Sequence, residues 1–281
     1  MSDPSEAELD ASLAGAELID EPDDERLFVF RGLRDQQLRQ LREAPGGDLE
    51  GVFIAEGDVV IQRALDAGHL LRSVVVEHAR TRPLEFDPGA AALYRMGPRV
   101  IQDIAAHRRY RGSMACFERP IRAAVDEVLS HARTVVVTEG VNNPTNMGVM
   151  IRTAAALGVD AVLVDPTSCD PLARRCNRVS MGAVFAVPHA RLDPMPAGVE
   201  QLHESGLVTV AMTLAEGAVP LDTLDLGDDR VAMLVGREGP GLSPETQAAA
   251  THRATIPMHH GVDSLNVATA AAIGMWEIAR R

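Results

Sequence analysis

Apolar positions along this chain fall into short runs bounded by glycine, proline and polar residues, and the runs alternate with stretches of helical spacing. Leu33, Leu38 and Leu41 have the spacing of a short amphipathic helix. Gly51-Val-Phe-Ile-Ala55 reads as a strand. The helix after it, through Val59, Val60, Ala64 and Leu65, ends where Gly68 takes the place of a C′ glycine. Leu71 to Val76 and Ala91 to Tyr94 are further strands, Pro98 opens a short helix at its favoured first position, and Gly112 to Phe117 is a closing strand. A second series begins near Val125. Thr134 to Thr138, Ala161 to Val164, Leu207 to Ala211 and Val231 to Val235 are unbroken apolar runs, the pattern of strands buried on both faces of a parallel sheet. Helical stretches lie between them, and a last helix is expected from about Asn266 to Arg280. Alternation of this kind predicts a layered α/β fold in two parts, residues 26–124 and 125–281. Residues 1–25 carry little hydrophobic pattern and read as an acidic disordered tail.

With 281 residues the chain is long enough for two ordinary domains. No apolar run approaches the roughly 18 residues of a membrane span, and the N-terminus has no basic segment leading into an apolar one. Cys116, Cys169 and Cys176 are too few and too irregular for a disulfide framework or a zinc cluster, so a reduced, cytoplasmic setting is expected. The net charge of −13 argues against a nucleic-acid partner until its distribution is considered. Residues 1–25 hold ten acids and no base, residues 26–120 hold fifteen arginines against twelve acids, and residues 121–281 hold twelve against eighteen. Lysine is absent, so every fixed cation is a guanidinium, a group suited to bidentate phosphate contacts and to stacking on bases. Genome composition would produce the same bias.

Three segments place glycine and polar residues directly after a strand, where open α/β sheets bind ligands. Asn142-Asn-Pro-Thr-Asn-Met-Gly-Val-Met-Ile-Arg152 turns through Pro144 into a helix, with Asn146 as a candidate N-cap and Arg152 almost two turns on. Gly236-Arg-Glu-Gly-Pro-Gly-Leu-Ser-Pro-Glu245 is a glycine-rich turn with the spacing of neither a P-loop nor GxGxxG. A tight strand-to-helix connection capped by Ser243 accounts for the glycines, but not for a carboxylate, Glu238, between them. Ile256-Pro-Met-His-His-Gly-Val-Asp-Ser-Leu-Asn-Val-Ala-Thr-Ala270 leads into the last helix, which Ser264 or Asn266 opens. His259 and His260 have no nearby third ligand and read as a polar turn rather than a metal site. A nucleotide-dependent oxidoreductase is disfavoured, because no GxGxxG follows the first strand.

These segments resemble, in order and separation, the three signature motifs of the SpoU/TrmH branch of the SPOUT methyltransferases. Arg178-Val-Ser-Met-Gly-Ala183 is similar to a further family segment, and the resemblance covers roughly residues 130–281. The part before it, around Gly51 to Val60 and Arg111 to Phe117, is similar to the L30e/L7Ae-type substrate-binding domain. The resemblance implies an α/β catalytic domain with a C-terminal trefoil knot, an obligate homodimer, S-adenosyl-L-methionine as cofactor, and no metal. Gly236, Ile256 and Leu265, with Leu214 or Thr213 beside it, would line the cofactor pocket. Asn146, Arg152, Glu238, Ser264 and Asn266 would form the catalytic centre, with Arg152 arriving from the other subunit. The implied reaction is 2′-O-methylation of RNA ribose. Arginine is a poor proton acceptor, its ordinary pKa being about 12.5 or higher. Arg152 would therefore either act as base with the help of an RNA phosphate, or hold that phosphate and stabilise alkoxide charge. Arg108, Arg109 and Arg111 are expected to hold RNA through phosphates and stacking. The two-domain architecture favours rRNA, 23S over 16S; the alternatives are a tRNA 2′-O-methyltransferase and an RNA-binding assembly factor that has lost the reaction. Thr145, Arg237 and the His259-His260 pair depart from the family pattern.

Overall fold

The two series of strands form two separate sheets. A computed structural model describes residues 6–31, 42, 47, 49–105 and 112–280. The chain divides into two compact units, Met1–Pro120 and Ile121–Arg281. The expected helix through Leu33 and Leu41, and the cluster Arg108, Arg109 and Arg111, lie outside the described residues.

In the first unit, helix α1 (Glu6–Ser12) precedes strand β1 (Glu17–Ile19), and a short 3-10 helix spans Glu25–Phe30. Then come β2 (Val52–Glu56), α2 (Asp58–Asp66), β3 (Leu71–Glu77), β4 (Ala92–Met96), α3 (Pro98–Ala105) and β5 (Ser113–Glu118). The sheet order is β1-β4-β3-β5-β2, with β1, β4 and β3 parallel and β5 antiparallel to both its neighbours. Helix α2 ends as the sequence predicts: Gly68 is left-handed at φ 80°, and the amides of Gly68 and His69 reach back to the carbonyls of Leu65 and Ala64. Leu27, Phe30, Ile54, Val75, Met96 and Met114 close one core.

The acidic N-terminal segment is a correction to the expected disordered tail. Strand β1 adds to the edge of β4, Ile19 is buried, and the Gly97 amide donates to the Ile19 carbonyl at 2.7 Å. Its charge is met locally. Arg26 bonds Glu17 and Asp24 at 2.6 and 2.7 Å, holding the Asp24 carboxyl down to about 2, and Arg99 pairs with Glu21 at 3.2 Å. These exposed ion pairs add little; the segment is held by the pairing of β1 with β4 and the burial of Ile19 and Leu27.

The second unit runs α4 (Val125–Leu129), β6 (Thr134–Glu139), α5 (Pro144–Leu157), β7 (Ala161–Val164), α6 (Arg174–Val179), β8 (His189–Arg191), α7 (Ala197–Glu204), β9 (Val208–Met212) and β10 (Val219–Pro220). It ends with β11 (Val231–Gly236), α8 (Pro244–Ala249), β12 (His252–Thr255) and α9 (Val267–Ala279). The seven strands are all parallel in the order β10-β12-β9-β11-β6-β7-β8. Val135, Val136 and Val137 on β6 and Val162 and Leu163 on β7 are consecutive and all buried, so the central strands need apolar residues on both faces. No helix among the described residues is long and apolar enough to cross a membrane.

Two local features position α5. Asp165, 2 % exposed, accepts from the Gly140 amide and the Ser168 hydroxyl at 2.9 and 2.5 Å, and Ser168 in turn accepts from the Val141 amide at 2.9 Å. This buried network pins the loop out of β6. Gly148 lets α5 close on α6: a Cβ there would lie 2.8 Å from both the Cys176 carbonyl oxygen and the Val179 Cβ. Alanine at this position gains about 1 kcal/mol of helix propensity but meets an overpacking cost of about 1–3 kcal/mol. Gly148→Ala is therefore expected to lower stability, seen as a reduced urea midpoint with unchanged slope; an unchanged or raised midpoint would show that α6 retreats freely.

Candidate active site

Four strand ends converge on the site. The loops after β6, β9, β11 and β12 all leave the C-terminal edge of the parallel sheet, the edge where open α/β sheets place their ligands.

The first loop corrects the expected role of Asn146. Asn143 is the cap of α5, accepting from the Thr145 amide at 2.9 Å, and Pro144 takes the first helical position. Asn146 is thereby two residues inside the helix, with its side chain turned inward at 7 % exposure. Its Nδ2 donates to Glu238 Oε1 at 2.7 Å. Asn266 caps α9, its Oδ1 accepting from the amides of Ala268 and Thr269 at 2.9 and 3.3 Å. The same carboxamide turns its Nδ2 to Glu238 Oε1 at 2.8 Å and to Asn146 Oδ1 at 3.2 Å. One carboxylate oxygen thus gathers the start of α5, the turn after β11 and the start of α9.

The turn after β11 needs its first glycine. A Cβ on Gly236 would lie 2.1 Å from the Gly241 carbonyl carbon and the Leu242 nitrogen, so the chain folds back over a position that no side chain can occupy. Gly239 and Gly241 are left-handed at φ 86° and 74°, and the Gly241 amide donates to the Arg237 carbonyl at 3.0 Å. The cap of α8 is Ser243, whose hydroxyl accepts from the Thr246 amide at 3.2 Å. The Ser243 amide itself donates to Glu139 Oε2 at 3.0 Å.

Beside this turn lies a cavity of about 320 Å³, within the size range of small-ligand sites. Thr213, Leu214, Gly236, Ile256 and Leu265 all line it, as do Glu238 and Ser264. Asn146 and Asn266 are joined to its wall through Glu238. Gln247 is a lining residue that sequence reasoning missed; it accepts from the Thr213 hydroxyl at 2.8 Å and donates to the Leu242 carbonyl at 2.8 Å. A glutamine on a short surface helix carries no sequence signal, and neither does Glu139 at the end of a valine-rich strand. The lining is rich in backbone and small residues, and the close backbone approach at Gly236 is the kind of cradle a nucleoside-sized group requires.

Arg152 does not join this cluster. Six residues on from Asn146, it is about 9 Å further along the helix and about 240° around it. It is exposed and has no hydrogen-bond or ion-pair partner among the described residues. His259 and His260 lie in the exposed loop before α9, and no group of three potential metal ligands occurs among the described residues.

Residues 133–276 match the SpoU rRNA Methylase family. An uncharacterized tRNA/rRNA methyltransferase of Mycobacterium bovis is 39% identical over 92% of this chain and 90% of its own length. The 23S rRNA (guanosine(2553)-2′-O)-methyltransferase of Bacillus subtilis is 26% identical over 80% of this chain and 88% of its own. The crystal structure of an AdoMet-bound rRNA methyltransferase from Sinorhizobium meliloti superposes with a TM-score of 0.75 at 26% identity, covering 94% of this chain and 98% of the other.

The double duty of Asn266 is separable. Serine caps a helix as well as asparagine does but is too short to reach Glu238. Asn266→Ser is expected to keep the stability of the parent protein, and Asn266→Ala to lose about 1 kcal/mol, measured by urea unfolding. Equal losses in both variants would mean that the bond to Glu238, rather than the cap, carries the stability.

Proposed function

The chain belongs to the SpoU rRNA methylase family, and we propose that it is an S-adenosyl-L-methionine-dependent RNA ribose 2′-O-methyltransferase acting on 23S rRNA. The observation that carries this reading is the glycine-walled cavity with the Asn146–Glu238–Asn266 cluster at its wall. When bound, S-adenosyl-L-methionine supplies an electrophilic methyl group on a sulfonium. Gly236, Ile256 and Leu265, with Thr213 and Leu214, would hold it largely through backbone groups. Glu238, fixed by two amide donors, presents negative charge at the cavity wall, where a sulfonium is favoured over a neutral thioether. Ser264 offers a hydroxyl on the same wall. A ribose 2′-hydroxyl needs its developing charge stabilised, and Arg152 is the group assigned to it, through an RNA phosphate that its planar fork can grip.

In this reading the active unit is a homodimer, because Arg152 is remote from the cluster of its own chain. Support comes from exposed apolar residues on two helices that pack together: Val149, one turn before Arg152 on α5, and Ile273 and Trp276, one turn apart on α9. The reading also includes a trefoil knot around the loops after β11 and β12, and an L30e-like, RNA-holding role for the first unit. Choice of 23S rRNA rests on the Bacillus subtilis relative named for that substrate, matched over most of both chains. The family's ordinary setting for such a substrate is the cytoplasm.

Calorimetry with EDTA-treated protein is expected to show S-adenosyl-L-methionine binding without added metal; no binding at millimolar cofactor would sink the reading. Incubation with unmodified 23S rRNA transcript and cofactor, followed by mapping of 2′-O-methyl marks, is expected to reveal one modified ribose. RNA binding without any mark would make the chain an assembly factor instead. Single-turnover transfer by Arg152→Ala is expected to fall about 10²–10³-fold or more, and Arg152→Lys to recover little of it. Near-normal turnover in the alanine variant would remove Arg152 from the mechanism, and loss of the dimer alongside activity, read by light scattering, would make its role structural.

A further inference from the structure

Arg237 stands directly after the glycine at which β11 ends, at the rim of the cavity. We propose that Arg237 is a positioning residue that grips a backbone phosphate of the RNA substrate next to the reacting ribose; the proposal rests on the methyltransferase reading above.

Its backbone is held, since the Arg237 carbonyl accepts from the Gly241 amide at 3.0 Å and the two residues form a β-bridge across the turn. The stem of the side chain is also held. A Cβ built on Gly140 would lie 3.3 Å from Arg237 Cδ and 3.7 Å from its Cγ, so the aliphatic part rests on the bare backbone of the loop between β6 and α5. Gly140 is left-handed at φ 69°, and a side chain there would be both strained and in contact with this stem. The guanidinium is nevertheless uncommitted: Arg237 is exposed, with no hydrogen-bond or ion-pair partner among the described residues. No ion pair joins it to its neighbour Glu238, whose Oε1 instead accepts from the amides of Asn146 and Asn266.

The direction of the stem favours one ligand. Arg237 lines the cavity rim, but its stem runs along Gly140, which does not line it, so the side chain follows the edge between the cavity and the loop that launches α5. A cation on that edge is placed for the acceptor strand that approaches the rim. The unit around it holds twelve arginines against eighteen acids, so a polyanion approaching the cluster needs local positive charge, and a fork with a pre-set stem supplies it at low entropic cost.

The experiment compares the full-length protein with Arg237→Ala and Arg237→Lys, using unmodified 23S rRNA transcript and S-adenosyl-L-methionine as separate probes. Arg237→Ala is expected to raise the RNA Kd about tenfold, the order for one charge-assisted contact. The slope of log K against log salt is expected to shrink by about 0.7–0.9. Arg237→Lys should retain that slope while regaining only part of the affinity. Cofactor affinity and melting temperature should stay at the parent values. A raised cofactor Kd with unchanged RNA affinity would overturn the proposal and assign Arg237 to the cofactor carboxylate; no change in either would leave it a solvated residue. Absence of methyl transfer by the parent protein would defeat the methyltransferase reading alone, because the salt slopes need no turnover.

Discussion

A single carboxylate oxygen, Glu238 Oε1, receives the side-chain amides of Asn146 and Asn266, and the arrangement of the second unit converges on that point. The three residues come from the turn after β11, from α5 and from the cap of α9, which are far apart in sequence. Each is delivered by a different local device. Pro144 and the Asn143 cap start α5 early enough to turn Asn146 inward. Gly236 lets the chain double back so that Glu238 faces the helices. Asn266 uses its oxygen for the helix and keeps its nitrogen for the carboxylate. Because Glu238 and Asn266 are exposed, these bonds add more to geometry than to stability: one oxygen with two amide donors fixes the mutual register of three loops that the sheet alone leaves adjustable.

The charge distribution then makes physical sense. An acidic second unit is a poor general surface for RNA, because affinity for the phosphate backbone comes from arginine and lysine. What it offers is a small number of arginines that the fold leaves uncommitted near the strand ends, while others are spent internally. Arg230, for example, donates to the carbonyls of Ala132 and Ser205 at 2.8 and 2.7 Å. In the first unit the arginine excess of residues 26–120 is more than cancelled by the ten acids of the N-terminal segment, some of which pair with Arg26 and Arg99.

How much of this was legible in the sequence follows from how each feature is encoded. The central strands β6, β7, β9 and β11 were readable because burial on both faces demands unbroken apolar runs. The cavity-lining residues were found through the resemblance, not through composition, since glycine and leucine carry no chemistry of their own. Strand β1 was not readable: three residues, of which only Ile19 is buried, make no pattern. The cap of α5 was misplaced by three residues because Asn142, Asn143, Thr145 and Asn146 are all residue types that cap helices, and only backbone geometry tells which of them accepts the first amide. Gln247 and Glu139 are tied into the site by hydrogen bonds of their side chains to other segments, a kind of information that no local window of sequence contains.

Arg152 is expected to serve the site of a second subunit, and within its own chain it lies apart from the cluster. Proximity in sequence to Asn146 makes the two look like one constellation, yet helical geometry sends them to different faces. Exposed Val149, one turn from Arg152, is joined by exposed Ile273 and Trp276 on the packed helix α9, so apolar surface and an unpaired guanidinium both stand open to a partner. Both are satisfied at once if the face is covered by a second copy and the guanidinium emerges at the edge of that cover, over the partner's cluster. Dimerisation would then complete a site that each chain leaves open, and the Glu238 network of one chain would meet the phosphate-bound arginine of the other only around the RNA.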